Sequence, residues 1–432
     1  MSGKLLNIEQ VYDEVDNLEI EKIMDIMKTL ISIDTSIPPG NTYRQYIDAI
    51  SPYFKDLGYN LEEVTVPEEL IKQIPYPLEG IRINLVATKD FKQDKDISFY
   101  GHMDVVPAPE EGEEKWSFPP FEATMIESGK IYGRGVADMK GAMVSLILAL
   151  QLIEKLNLKP KYNIRVLNCT DEEISFYPGI RYLAEKNYIK GTIFCMETTI
   201  NPVIFKRFAG FLDVDVETIG KSCHSGMNHL GVNALEETVP ILVELMKLKR
   251  IVEARESTDI SGTNSSNTEN SANRGPMFNL DIIRAGEKSN IVPDHCLLTI
   301  NRRFLPEENY DSVKQEIMQA IEKGKEKSKA LDVKITFKYA FVPLKIDING
   351  PNVQKMKKIM QEVQNIPIEE IGIIGSSASL DMGFVSQILK TQDIIVHGVG
   401  NTNSNPHGVN ESIELNDIKT FIKELITFLC TN

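Results

Sequence analysis

Apolar and polar residues recur with two different spacings along the first half of the chain. Residues 7–32 carry apolar side chains three or four positions apart, which predicts a helix that ends before the turn at 37–40. A second helical pattern over 46–54 contains Pro52, where a helix can kink. Short apolar runs between further helical patterns predict strands at 84–87, 97–100, 163–168 and 192–196, and helices at 139–156 and 180–186. This alternation is typical of an α/β domain with a mostly parallel sheet.

The pattern changes near residue 206. Residues 211–217 alternate apolar and acidic side chains, as an antiparallel strand with one wet face does. The elements that follow are a helix (235–252), two strands (277–283 and 297–304), a helix (312–323) and a strand (333–339). Their β-α-β-β-α-β order predicts a small ferredoxin-like α+β domain. The Ser/Asn/Thr-rich stretch at 256–274 is interpreted as a mobile surface loop within it.

The first pattern returns after residue 343, with a helix at 353–363, a strand at 394–397 and a helix at 415–430. We therefore predict two domains. Residues 1–205 and 345–432 form the α/β domain, and residues 206–344 form a second domain inserted into it.

Composition narrows the class of protein. The chain has 47 Lys and Arg against 62 Asp and Glu, a net charge of −15 that disfavours nucleic acid and anionic membranes as partners. Its five cysteines are dispersed and form no Cys-x-x-Cys pair, so we expect neither a disulfide framework nor a thiolate zinc site. The N-terminal segment is acidic, and the longest apolar stretch, 144–153, is far shorter than the roughly 20 residues that span a bilayer. These features predict a soluble cytoplasmic protein.

Two histidines and two aspartates stand near the ends of predicted elements. His102 follows the strand 97–100, and Asp104 comes two residues later. A carboxylate can orient a metal-binding imidazole, although a turn with incidental polar residues gives the same pattern. Asp138 precedes the helix 139–156, where it could equally be the N-cap. His407 lies in a loop before the last helix.

Acidic residues follow two further predicted strands. Asp171, Glu172 and Glu173 come after 163–168, and Glu197 comes after 192–196. Buried carboxylates are costly unless a cation or solvent offsets their charge, so a metal site and an exposed acidic loop are both consistent with this run. Open α/β sheets place ligand sites at such strand ends. Two imidazoles and several carboxylates suit a pair of zinc ions, and a remaining carboxylate could activate water.

Eight segments that carry these residues occur in one order between about residues 85 and 411: GHMDVVPA with WSFPPF, GRGVADMKGA, TDEE, METT, GKSCHSG, KSNIVPD, RRFLPEE and NPHGVNE. In them the sequence resembles the M20 metallopeptidase and amidohydrolase family, which includes acetylornithine deacetylase, succinyl-diaminopimelate desuccinylase, aminoacylase-1 and glutamate carboxypeptidase. The resemblance implies that the α/β domain is a catalytic zinc-peptidase domain. It also implies that the inserted domain is a lid through which two copies form a homodimer.

The resemblance assigns the metal ligands residue by residue. It makes His102 and His407 the terminal ligands of two zinc ions, for which cobalt or manganese are possible substitutes. Asp138 would bridge the two ions, while Glu173 and Glu197 would each complete one site.

The same resemblance assigns the remaining roles. Glu172 would be the general base that carries a proton from water to the leaving amine. Asp104 would hold His102 in its tautomer. His224, in the inserted domain, would reach into a site across the dimer and stabilise the oxyanion. Asn290 and Arg303 would hold the substrate or its carboxylate.

The sequence departs from the family pattern at the substrate positions. Asn301 stands where an acidic residue often precedes the arginine, so Arg302 and Arg303 compete for the anchoring role. Residues 375–381, which include the candidate substrate contact Ser379, match the family's Gly-Gly-Thr loop only loosely. The two residues after that segment are Met382 and Gly383, where the family frequently has an arginine.

The resemblance implies a di-zinc amidohydrolase that removes a succinyl or acetyl group from an amino acid with a free carboxylate. Glu197 favours this reading, because the aminopeptidase and dipeptidase branches tend to carry Asp there. The close alternative is a carboxypeptidase or dipeptidase of broad specificity acting on short peptides. A more distant alternative is a metal-binding scaffold without catalysis, which would have no need of Glu172. His229, His295 and His397 are interpreted as residues outside the metal site.

Overall fold

A computed structural model describes residues 8–72, 74–108, 115–256 and 275–431, and the chain divides into two units. The first comprises residues 1–206, 346–373 and 384–432, and the second comprises residues 207–345 and 374–383. The predicted boundaries assign residues 374–383 to the first domain. These residues group instead with the second unit, because the Ala209 N–H donates to the carbonyl oxygens of Ser376 and Ala378. Of the predicted loop 256–274, residues 257–274 lie outside the described residues.

The helices of the described residues are α1 (Ile8–Asp16), α2 (Ile20–Ile31), α3 (Tyr43–Asp56), α4 (Glu68–Ile71), α5 (Lys140–Lys155), α6 (Gly179–Glu185), α7 (Ala234–Glu253), α8 (Tyr310–Lys325), α9 (Pro351–Gln364), α10 (Met382–Leu389) and α11 (Leu415–Cys430). The strands are β1 (Asn60–Thr65), β2 (Ile83–Lys89), β3 (Asp96–His102), β4 (Thr124–Met125), β5 (Lys130–Tyr132), β6 (Asn163–Cys169), β7 (Thr192–Cys195), β8 (Val203–Phe208), β9 (Gly210–Ile219), β10 (Met277–Ala285), β11 (His295–Phe304), β12 (Asp332–Phe341), β13 (Leu344–Lys345), β14 (Gly372–Ser376), β15 (Ile394–Val396) and β16 (Ser412–Glu414).

The first unit is built on a six-stranded sheet in the order β1-β2-β6-β3-β7-β15. The neighbours β6, β3, β7 and β15 are parallel, and the β1–β2 and β2–β6 pairs are antiparallel. The predicted α/β class is therefore confirmed. Helix α5 is buried along nearly its whole length, as its almost unbroken apolar sequence requires. Its Gly141 meets the carbonyl oxygen of Val136 so closely that a Cβ atom has no room there, which draws the preceding loop tightly onto the helix.

The second unit has the predicted β-α-β-β-α-β order, with an antiparallel sheet in the order β10-β11-β9-β12. Alternate residues of β9 are buried, as the alternating sequence predicts. The buried side chains of this strand pack with those of α7 and α8 in one apolar core. Asn233 and Asn309 accept N–H hydrogen bonds at the N-termini of α7 and α8. This unit is the ferredoxin-like domain that the sequence predicts.

The N-terminal helix predicted over 7–32 is in fact two helices, α1 and α2. Glu19, directly before α2, has an extended backbone with φ −59° and ψ 127°, which interrupts the helix. Helix α3 runs on through Pro52. All five cysteines are free thiols. Among the helices of the described ranges, none combines the length and apolar character needed to cross a bilayer.

Candidate active site

The parallel strands of the first unit bring the predicted ligands to one edge of the sheet. His102 is the last residue of β3 and lies opposite Cys169, the last residue of β6. Glu172 and Glu173 follow β6, and Glu197 follows Cys195 at the end of β7. Carboxyl ends of neighbouring parallel strands meet at the same edge, which is where open sheets place their sites. Gly398, just after β15, packs so closely on the carbonyl oxygen of Glu197 that a Cβ atom would not fit.

Asp138 lies between the two predicted histidines. Its Oδ1 is 3.1 Å from His102 Nε2, and its Oδ2 is 3.2 Å from His407 Nε2. The alternative interpretation of Asp138 as a helix N-cap is wrong, because Met139 occupies the N-cap position of α5. The Asp138 carboxylate is instead divided between two imidazoles, one oxygen for each.

Each histidine also faces a glutamate of its own. His407 Nε2 is 3.0 Å from Glu173 Oε2, and His102 Nε2 is 3.8 Å from Glu197 Oε2. The result is two groups of one histidine and one glutamate that share the single aspartate. One ligand atom from each of His102, Asp138 and Glu173 can be chosen so that all three lie within 4.8 Å of one another.

The cluster concentrates negative charge in a buried place. Burial and the nearby Asp138 raise the pKa of Glu197 to about 8. Hydrogen bonds with Asp138 and Glu173 raise the pKa of His407 to about 11. Burial acts to raise the pKa of Asp138, but its hydrogen bonds with His102 and His407 lower it below its usual range. A cation among these side chains would therefore stabilise the ionised form of the carboxylates.

The residues fit a divalent metal. In the part of the chain that the structure describes, buried Glu173 Oε1 and Glu197 Oε2 have no hydrogen-bond donor, although buried carboxylate oxygens normally have one. Imidazole nitrogens and carboxylate oxygens are ligands that zinc accepts. The two histidine–glutamate pairs that share Asp138 therefore offer metal ligands on both sides of this carboxylate.

Asp104 holds the site in a way that differs in detail from the prediction. Its backbone carbonyl oxygen, rather than its carboxylate, is the group 2.9 Å from His102 Nδ1, and the carboxylate Oδ1 is 3.9 Å away. Carboxylate Oδ2 accepts the N–H of Glu173 at 3.0 Å. Burial raises the pKa of Asp104, and His102 and the Glu173 and Glu172 N–H groups oppose that rise. Asp104 thus links the His102 strand end to the turn that carries Glu172.

A second buried contact anchors the same turn. Asp171, directly before Glu172, accepts a hydrogen bond from Tyr43 Oη at 2.8 Å and lies 3.3 Å from Arg82 Nε. The side chains of Arg82 and Asp171 are each 1% exposed. Arg82 also donates to the carbonyl oxygens of Pro39 and Gly40. Sequence reasoning missed this cluster, because Arg82 stands alone before a strand.

We expect Arg82→Met to lower the free energy of unfolding by about 3–5 kcal/mol, because it leaves the Asp171 carboxylate buried without its cation. Urea denaturation followed by circular dichroism measures the change. Arg44→Met is the matched control, since Arg44 pairs with Glu63 at 2.7 Å while 45% exposed, and it should cost about 1 kcal/mol or less. Equal losses in the two variants would contradict the prediction.

Sequence reasoning also missed Arg134 and Glu411, although both lie in the eight ordered segments. Their side chains form an ion pair, 2.7 Å from Arg134 Nη1 to Glu411 Oε2, and each is 1% exposed. Glu411 accepts the N–H of Asp138, and Arg134 donates to the carbonyl oxygen of His407. Burial raises the pKa of Glu411, and Arg134 acts against that rise. The pair therefore contacts the backbone of two predicted ligands.

His397 lies apart from these ligands. It is fully buried, and its Nε2 is 2.7 Å from Glu424 Oε2 of α11. His295, on β11, is 3.2 Å from Glu217 Oε1. Neither of these two contacts involves a predicted metal ligand.

In the second unit the structure brings His224 and Asn290 into neighbouring segments. The Ser225 N–H donates to the carbonyl oxygen of Asn290 at 3.0 Å. The side chain of His224 is exposed, and its Nδ1 accepts the N–H of Gly226 at 3.1 Å. A neutral imidazole that accepts at Nδ1 carries its proton on Nε2, so His224 presents a donor at that atom.

The two candidate arginines have different surroundings. Arg302 is buried in an ion pair with Glu308, at 2.6 Å. Arg303 is half-buried, with Nη1 3.2 Å from the Ser377 carbonyl oxygen and 3.4 Å from Ser379 Oγ. Of the two arginines, Arg303 therefore lies beside the loosely matching segment that contains Ser379.

Histidines and carboxylates at the carboxyl edge of an open α/β sheet are a metal-ligand set at the place where such sheets carry their sites, which is typical of a metal-dependent enzyme. The model of peptidase family M20/M25/M40 matches residues 98–430, well over half of the chain. The chain belongs to that family, as the motif order predicts.

Relatives and solved structures agree with this assignment. A probable succinyl-diaminopimelate desuccinylase from Staphylococcus epidermidis is 26% identical over 387 residues, covering 87% of this chain and 88% of the relative. The structure of the di-peptidase Dug1p from Saccharomyces cerevisiae matches with a TM-score of 0.77 and 15% identity, over 98% of both chains. An M20 family metallo-carboxypeptidase from Sulfolobus solfataricus matches with a TM-score of 0.75 and 20% identity, over 95% of this chain and 98% of that one. The structural matches establish the two-domain fold.

Proposed function

We propose that the chain is a di-zinc hydrolase that removes an N-acyl group, succinyl or acetyl, from an amino acid with a free carboxylate. The observation that carries the proposal is the Asp138 carboxylate, shared between His102 and His407 at 3.1 and 3.2 Å. Glu197 and Glu173 complete the two ligand groups. The desuccinylase name of the Staphylococcus epidermidis relative supports the acyl substrate.

In this proposal the two ions would be held by His102 with Glu197, by His407 with Glu173, and by the shared Asp138. When bound, they supply positive charge that polarises the scissile carbonyl and favours deprotonation of water. Glu172 takes a proton from the attacking water and delivers it to the leaving amine nitrogen. Asp104 positions His102 through its carbonyl oxygen, and its carboxylate positions the turn of Glu172.

Residues of the second unit would bind the substrate. Arg303 would pair with the free α-carboxylate, for which a planar guanidinium is well suited. Ser379 Oγ, 3.4 Å from Arg303 Nη1, and the Asn290 amide would add hydrogen bonds to the substrate. His224 would reach into the site of the partner subunit and donate its Nε2 proton to the oxyanion that forms as the carbonyl is attacked.

The close alternative is a carboxypeptidase or dipeptidase of broad specificity. The names of two structural matches, a di-peptidase and a metallo-carboxypeptidase, favour it. It would use the same ligands and the same Arg303, because peptide bonds and N-acyl bonds are both amides and both substrates end in a carboxylate.

A substrate panel separates the two functions. The panel contains N-succinyl-diaminopimelate, N-acetyl-ornithine, other N-acyl amino acids and dipeptides, each assayed with added zinc or cobalt. Hydrolysis of one N-acyl amino acid at a kcat/KM at least tenfold above that of every dipeptide supports the deacylase. Preference for dipeptides overturns it in favour of the peptidase, and zinc loading without hydrolysis of any member overturns both.

We further propose that the chain forms a homodimer through the second unit. An apolar stripe runs along the exposed face of α7, opposite its buried face, and β10 lies at the edge of the sheet with two exposed isoleucines. Exposed apolar patches and open strand edges favour association. The residues of the stripe and the edge are Leu235, Val239, Val243, Met246, Ile282 and Ile283.

The double variant Val239→Glu/Val243→Glu should be monomeric, because it buries two charges in the proposed interface. These side chains are 50% and 45% exposed, so the fold should tolerate the change. Sedimentation equilibrium should show half the mass of the unmutated protein. Leu331→Glu is the control: Leu331 is 62% exposed and precedes β12 at the opposite edge of the sheet, and this variant should stay dimeric. An unchanged mass for the double variant rules out this surface.

A further inference from the structure

The Glu411 side chain accepts hydrogen bonds from the backbone of the loop that ends at Asp138. Its Oε1 accepts the N–H groups of Gly135, Ala137 and Asp138 at 3.1, 2.9 and 3.1 Å, and its Oε2 lies 3.1 Å from the Gly135 N–H. The Gly133 N–H donates to the Glu411 carbonyl oxygen at 3.1 Å. A buried carboxylate that accepts this many N–H groups fixes the path of the loop it faces.

Arg134 ties the same loop to that of His407. Its Nη1 is 2.7 Å from Glu411 Oε2, and its Nη2 is 3.0 Å from the His407 carbonyl oxygen. The guanidinium carbon lies 5.2 Å from the centre of the Trp116 ring, which covers it. One fully buried ion pair thus contacts the backbone of two residues that face each other through their side chains.

The other ligands are held differently. His102 belongs to the β3 ladder, and Glu197 directly follows Met196, whose N–H donates to the Tyr100 carbonyl oxygen of β3. His407 sits in a loop with φ +66°, an unusual conformation for a residue with a side chain. The position of His407 relative to Asp138 therefore depends mainly on side-chain contacts, whereas the position of His102 is fixed by its strand.

We infer that Arg134 and Glu411 are positioning residues that set the spacing between Asp138 and His407, and so determine metal affinity at the site of His407 and Glu173. The inference rests on the proposed function, because it presumes that these side chains bind metal. Groups that orient metal ligands typically change metal affinity or activity about 10- to 100-fold when they are mutated. The site of His102 and Glu197 should lose less.

Glu411→Gln tests the inference with little change of volume. One end of the amide is a donor, so it must face either the N–H groups of the Asp138 loop or the Arg134 guanidinium, and both are donors themselves. Zinc affinity is measured by competition with a chromophoric chelator, and zinc content by mass spectrometry after dialysis. We expect the zinc ion of His407 and Glu173 to bind about 10- to 100-fold more weakly and the zinc ion of His102 and Glu197 to lose less affinity. The absorption spectrum of the cobalt-loaded protein should change at the weakened site.

Glu424→Gln is the matched control. Glu424 is also 1% exposed, it lies in the same unit, and it pairs with His397 at 2.7 Å. This variant should lose stability but keep the zinc affinity and cobalt spectrum of the unmutated protein. Arg134→Lys is a second test if Glu411→Gln does not fold, since one ammonium group can replace the contact with Glu411 or with the His407 carbonyl but not hold both in the same geometry. It should give an intermediate affinity.

The outcomes separate this inference from the proposed function. If the unmutated protein binds two zinc ions and hydrolyses an amide, but Glu411→Gln and Arg134→Lys keep its zinc affinity, the pair is merely structural and the inference is wrong. An equal loss of affinity in Glu424→Gln also overturns it. If the unmutated protein itself binds fewer than two zinc ions, the proposed function fails first and the inference fails with it.

Discussion

Replacing Glu172 by Gln is expected to lower kcat by about 10²- to 10⁴-fold while leaving the zinc content unchanged. The substitution keeps the shape of the side chain but removes the base that would move a proton from water to the leaving amine. Glu172 is 8% exposed, so bulk water has little access to this position and cannot take over the role of the missing base. The measurements are kcat and KM with the best substrate of the panel, and zinc per chain by mass spectrometry.

Glu173→Gln is the control for this experiment, because it is the same chemical change at the next residue. Glu173 faces His407 at 3.0 Å, so its variant should lose zinc at one site together with activity. The two adjacent variants should therefore differ in metal content although both are slow. A Glu172→Gln protein with the kcat of the unmutated enzyme would falsify the assignment of the general base.

Asp138→Asn is expected to weaken binding of both zinc ions, each on the order of 100-fold or more, and to abolish detectable hydrolysis. The reason is geometric, since each oxygen of Asp138 faces a different histidine at 3.1 and 3.2 Å. An amide leaves one oxygen and one nitrogen donor there, and it removes the negative charge that two cations would share. Isothermal titration with zinc into metal-free protein measures the loss at both sites.

The matched variant for Asp138→Asn is Glu197→Gln. Of the two histidines, Glu197 faces His102, so its variant should lose one zinc ion and keep the other. If Asp138 is the bridging carboxylate, the variant of Asp138 should bind both zinc ions more weakly. The variant of the terminal ligand Glu197 should lose only one of them. If Asp138→Asn retained both ions with unchanged affinity, Asp138 would not be the shared ligand.

The periodic pattern predicted the long elements well and the short ones poorly. Helix α11 has the predicted bounds, because its apolar stripe is continuous from Leu415 to Cys430. Strands β4 and β16 have two and three residues, too few for any period to show. The break between α1 and α2 lies in the backbone of Glu19, which the spacing of apolar residues does not reveal.

Three of the candidate ligands, His102, Glu173 and Glu197, could be found because they lie at or just after strand ends, which the pattern reveals. Asp138 was ambiguous in sequence, since a helix N-cap and a metal ligand both favour Asp before a helix. The role of Glu411 could not be predicted, because its partner Arg134 is 277 residues away and only the folded chain brings the two together. The different surroundings of Arg302 and Arg303 could not be predicted either, because they depend on which of the two arginines Glu308 contacts in the folded chain.

The assignment of residues 374–383 to the second unit has a consequence for protein engineering. A domain inserted once into another is joined to it at two points, but this chain passes between the units at four, after residues 206, 345, 373 and 383. The second unit is therefore not a contiguous stretch of sequence. Exchanging it with that of a relative requires transplanting two separate pieces together, and a fragment spanning only 207–345 would omit the Ser376 and Ala378 carbonyl oxygens that Ala209 contacts.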